Sequence, residues 1–118
     1  MTEERDEASV DSLPIDVETI SATIDLAWHM DISTSTREDI DARTGELIGH
    51  INLLRGQPLG EDENPDRLRL LRIVDRHLAP MDRPTARTPA FEAFHFMHDT
   101  LVFAKALLSA YEMTNKKS

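Results

Sequence analysis

From residue 16 onward the apolar residues of this chain recur at three- and four-residue intervals, and no stretch alternates with period two. No Asn-Gly or Asp-Gly dipeptide offers a tight hairpin turn. The pattern leaves helices as the regular element from which a core can be built. A helix buries one stripe and must lay it against another helix. The number and width of the stripes therefore set the architecture.

Four stripes are legible. The first helix is predicted over about Asp16 to Met30, with Asp16 as N-cap after Pro14 and Val17, Ile20, Ile24, Ala27 and Trp28 on one face. The second starts at Ser35, where Ser35 and Glu38 fit a capping box, each side chain satisfying an orphan backbone donor. Ile40, Thr44, Leu47, Ile48, Ile51 and Leu54 form its stripe, and Gly56 and Pro58 end it. An acidic loop follows. The third starts at Asn64-Pro65, a cap followed by a proline whose missing N–H is harmless there. It turns Leu68, Leu71, Val74 and Leu78 inward and stops at Pro80. The fourth starts at Thr88-Pro89 and runs to about Glu112, which at ~1.5 Å per residue makes it the longest rod, about 36 Å. Its arc of Phe94, Phe96, Met97, Leu101, Phe103, Ala104, Leu107, Leu108 and Tyr111 covers about half the circumference. An arc that wide touches two or three other helices. The expected fold is all-α, a four-helix bundle with the long C-terminal helix central.

The chain has 118 residues, 40% hydrophobic and 30% charged, which suits one globular domain. Residues 13–112 are expected to form the bundle, 1–12 a disordered acidic tail and 113–118 a mobile C-terminal tail. The absence of cysteine excludes disulfides, thiolate metal sites and a cysteine nucleophile. No basic, apolar leader opens the sequence, and no apolar run approaches the ~18 residues of a membrane span, so a cytoplasmic protein is expected. The formal charge is -9, which argues against direct nucleic-acid binding through phosphates. That charge is uneven. Residues 1–66 carry 17 acids and 4 bases, and residues 67–118 carry 5 acids and 9 bases.

Four features are candidates for function. Five histidines are spread over the helices. Glu92 and His95 have a Glu-x-x-His spacing, but a di-iron bundle needs two such motifs, and Glu92, His95 and Asp99 lie opposite the apolar arc. They read as a solvated face, and neither a metal nor another cofactor is expected. His50 and His98 sit at the edges of their stripes, with Lys105 one heptad past His98, where an imidazole could serve as a general base. The usual alternative is a boundary histidine making one hydrogen bond. Arg69, Arg72 and Arg76 share one strip of the third helix. Three adjacent guanidiniums call for an anion, supplied either by the acidic half of the same chain or by a carboxylate, a phosphate or an acidic partner. Ala42, Gly45, Gly49 and Leu53 form a second strip on the second helix. Mid-helix glycine costs about 1 kcal/mol against alanine. Close packing inside the bundle is the expected offset, with a homodimer contact or a bare surface as the alternatives. The phenylalanines of the last helix read first as core and second as the lining of a ligand cavity.

The segment Glu46 to Leu54, followed by Arg67 to Leu71 and Val74 to Leu78, resembles a family of small, uncharacterised helical proteins ascribed to natural-product biosynthesis and found with secondary-metabolite gene clusters in filamentous soil bacteria. The resemblance covers about a third of the chain and carries no catalytic motif. It implies a cytoplasmic accessory role beside a biosynthetic pathway. The expected function is a non-catalytic interaction module that presents the arginine strip or the glycine strip to a protein partner, a small anionic or apolar ligand, or a second copy. A small acid–base enzyme using His50 or His98, and an acidic mimic of nucleic acid, are the alternatives.

Overall fold

The computed structural model describes residues 15–57 and 65–116. The acidic 1–12 segment, Pro58, Asn64 and the loop between them lie outside the described residues. Helix α1 spans Val17–Trp28, α2 Arg37–Arg55, α3 Pro65–His77 and α4 Ala90–Lys116, with a 3-10 turn at Pro80–Asp82 between the last two. The protein is an all-α bundle, and no strand occurs among the described residues.

Local chemistry places each helix start. Asp16 caps α1, its carboxylate accepting from the Thr19 amide at 3.1 Å and from the Thr19 hydroxyl at 2.7 Å. Those two bonds hold the Asp16 carboxyl below its usual pKa. The second helix starts one residue later than Ser35 predicts. Asp31 turns the connecting loop, its side chain accepting from the Ser33 amide and hydroxyl and its carbonyl from the Ser35 amide. With Ser35 tied into that turn, Thr36 becomes the N-cap, and the capping box forms between Thr36 and Asp39 rather than Ser35 and Glu38. Helix α4 starts at Ala90, and the Thr88 hydroxyl accepts from the Thr85 amide instead of capping the helix. The same helix continues to Lys116, so 113–116 are helical where a tail was expected.

Helix α4 is the centre. It packs most extensively on α2, next on α1, and most narrowly on α3. Met97, Leu101, Ala104 and Leu107 are fully buried against Ile40, Leu47, Ile51 and Leu54 of α2, Ile20, Ile24 and Ala27 of α1, and Val74 of α3. Arg37 at the start of α2 donates to the carbonyls of Thr85 and Thr88 just before α4, so α2 and α4 begin at the same end. Helix α1 runs against both, since Thr23 meets His50 while Trp28 meets His98 and Lys105. Three threonines in the core, Thr23, Thr44 and Thr100, return their hydroxyls to the carbonyl four residues back, which satisfies a polar group that burial would otherwise penalise.

Two expected core residues are not in the core. Trp28 is 56% exposed. It lies about 80° around the helix from Ile20, off the strip that Ile20, Thr23, Ile24 and Ala27 bury. Leu68 is 41% exposed, because α3 is seated on α4 through its C-terminal half, at Val74, His77 and Leu78, and its first turns extend past that cover.

Candidate functional site

His50 and His77 are built alike. The Thr100 hydroxyl gives its single hydrogen to the Phe96 carbonyl at 2.7 Å, so toward His77 Nε2, 2.8 Å away, it can only accept. The Thr23 hydroxyl donates to the Thr19 carbonyl and faces His50 Nε2 at 3.1 Å in the same sense. Each imidazole therefore carries its hydrogen on Nε2 and ties two helices together, α2 to α1 and α3 to α4. His77 also stacks on Phe96 at 4.2 Å and meets the edge of Phe103 at 5.0 Å. Burial pushes both imidazoles below the usual histidine pKa, outweighing Glu46 and Asp16 at His50 and Asp99 and Asp82 at His77. His50, expected as a base or a boundary histidine, makes one side-chain hydrogen bond, to Thr23. His98 lies tilted against Trp28 at 5.5 Å between centroids. Glu92, His95 and Asp99 are exposed, and no group of three potential ligands occurs among the described residues. Phe96 and Phe103 seat His77, and Phe94, Phe103 and Tyr111 pack on the core.

Seating α3 through His77 and Val74 turns its opposite face outward. Arg69, Arg72 and Arg76 are exposed along that face, flanked by Leu68 on one side and Ile73, 44% exposed, on the other. Among the described residues, the carboxylates expected to neutralise the strip are sparse. Asp66, one turn away, stands 3.9 Å from Arg69 with both side chains in solvent, a pair worth little. Arg72 and Arg76 have no partner among the described residues. The acidic half reaches α3 in the opposite sense: Arg55 at the end of α2 pairs with Asp75 at 3.1 Å.

The glycine strip corrects the expectation of a seam inside the bundle. Ala42, Gly45 and Gly49 are exposed and Leu53 is half-buried. A Cβ built at Gly45 or Gly49 meets nothing within 4 Å. Helix α2 buries its other face on α4 and α1, so no described element approaches this one.

One concavity was not anticipated from the sequence. A groove of about 350 Å³ runs between α1 and α4, with Ile24 and Leu108 at its base and Ser21 and Ser109 on its walls. Trp28 and Lys105 also line it, the Lys105 ammonium lying 5.8 Å from the indole centroid, and Asp25 and Glu112 complete it. The readable signal was Lys105 at the edge of the α4 arc; Trp28 was hidden by its assignment to the core stripe.

Comparison of the chain with protein-family models, with curated proteins and with solved structures finds no match. Among the described residues no helix is long and apolar enough to cross a membrane.

Proposed function

We propose that the protein is a non-catalytic interaction module whose working surface is the outer face of α3, and that its partner is an acidic, amphipathic segment of another protein. The observation that carries this is the exposed row Arg69, Arg72 and Arg76 between exposed Leu68 and Ile73, with Arg72 and Arg76 unneutralised among the described residues. Guanidiniums favour planar carboxylates as partners. Aliphatic side chains on both flanks add apolar area that a free phosphate could not use. The formal charge of -9 on the whole chain opposes any long polyanion, so the face suits a short segment whose few carboxylates stay within a Debye length of the arginines rather than a polyphosphate backbone.

Catalysis by His50 or His98 lacks comparable support. His50 Nε2 is committed to Thr23, and neither imidazole is among the residues lining the α1–α4 groove. A cytoplasmic setting and an accessory place beside a natural-product pathway belong to the same proposal and rest on the sequence resemblance. Self-association is a competing occupant of the face.

The test uses a synthetic helical peptide with a stripe of glutamates beside leucines, and its lysine counterpart. Fluorescence anisotropy should show salt-sensitive binding of the acidic peptide alone. Arg72→Glu with Arg76→Glu should weaken it at least about tenfold while melting stays within the ~0.5 kcal/mol usual for surface changes. Equal affinity in the charge-reversed protein, or dimerisation through this face in light scattering, would overturn the assignment.

A further inference from the structure

The groove between α1 and α4 lies on the far side of α4 from α3. At ~100° per residue, Lys105 and Glu112 stand about 160–180° around the helix from Phe96. Its polar groups are ordered along its length because α1 runs against α4. Trp28 and Lys105 mark one end, Ser21 and Glu112 the other, and Asp25 and Ser109 lie between. Lys105 and Glu112 are seven residues apart, about 10 Å along the helix at ~1.5 Å per residue. Among the described residues neither Asp25 nor Glu112 comes within 4.0 Å of Lys105, whose described contact is the Trp28 ring.

The groove is thus bipolar, cationic at one end and anionic toward the other, with an apolar base of Ile24 and Leu108 and an exposed indole wall. Its volume is at the lower limit of the ~300–1,000 Å³ of small-ligand sites, which selects a short occupant. Three residues of extended chain reach about 10 Å at ~3.3 Å each, the same span as the charged ends.

We infer that this groove binds a short zwitterionic peptide, its carboxylate at Lys105, its ammonium at Asp25 and Glu112, and an apolar side chain laid on Ile24, Leu108 and Trp28. The two serine hydroxyls supply donors and acceptors for the peptide bonds. This site is separate from the α3 face, so either can fail without the other.

Trp28 is the sole tryptophan of the chain, so its emission reports on the groove directly. Titration with alanyl-leucyl-alanine should give a saturable change in the millimolar range, by emission and by calorimetry. The N-acetylated and the C-amidated tripeptide should each bind about three- to tenfold more weakly. In Lys105→Gln the free and amidated peptides should bind alike, while the acetylated one remains the weaker. In Asp25→Asn with Glu112→Gln, the free and acetylated peptides should bind alike, while the amidated one remains the weaker. Capped peptides that bind as well as the free one to the unmodified protein would overturn the inference. So would the absence of saturable binding, or discrimination that survives all these substitutions.

Discussion

Replacing both Gly45 and Gly49 by alanine should stabilise the protein. Both lie inside α2, which spans Arg37–Arg55, and a Cβ at either position meets no atom within 4 Å. Alanine is better than glycine in a helix interior by about 0.8–1.0 kcal/mol, because it restricts the unfolded chain and exposes less helix backbone to water. With nothing to clash and no shared neighbour, the two gains should add to about 1.5–2 kcal/mol. For a domain of this size that raises the melting temperature by roughly 6–8 °C. Calorimetry with a urea titration checks the magnitude, and an unchanged urea slope would show that the surface exposed on unfolding is the same in parent and variant. A double variant that melts at or below the parent would refute the reasoning, since it would mean that some surface approaches these positions. Light scattering then separates the cases: a homodimer through the strip would be weakened by the same substitutions that stabilise the monomer.

Thr100→Val keeps shape but removes the hydroxyl that accepts from His77, leaving a half-buried donor unpaired at about 1–2 kcal/mol. Amide exchange in α3 should accelerate more than in α1, and equal acceleration throughout would show that His77 does not seat α3. Because burial lowers the pKa of His50 and His77, the unfolded chain binds more protons than the folded one below about pH 6.5. Their contribution is therefore complete above that pH and is lost as the pH falls toward the folded-state values. The lowered carboxyls of Asp16 and Asp31 contribute above about pH 3.8 and are lost only below it. Chemical denaturation at intervals from pH 7 to 4 should show the decline, and His50→Gln with His77→Gln should flatten it; a wild-type profile already flat over that range contradicts the account.

The helices were legible because their signals are local. Asp16, Pro65 and the stripes of α2 and α4 are decided by residues three or four positions away, and the structure places them as the periodicity requires. The capping box slipped by one residue because Ser35 and Thr36 have the same chemistry, and only the turn made by Asp31 decides between them. The glycine strip was misread for a related reason. Small residues at helical spacing invite close packing, but whether a helix comes there depends on topology, and α2 spends its contact on α4. The arginine strip was found as a strip, while the lack of partners at Arg72 and Arg76 required the placement of α3. The α1–α4 groove was least legible, since its two walls come from segments about 80 residues apart in the chain and meet only when α1 lies antiparallel on α4.

The most direct measurement is a map of amide chemical-shift changes when the glutamate–leucine peptide is titrated into the isotopically labelled protein. The account predicts that the changes centre on α3 from Leu68 to Arg76, fade with added salt, and vanish in Arg72→Glu with Arg76→Glu. Changes centred on any other surface, or changes on α3 that persist unaltered after charge reversal, would contradict it.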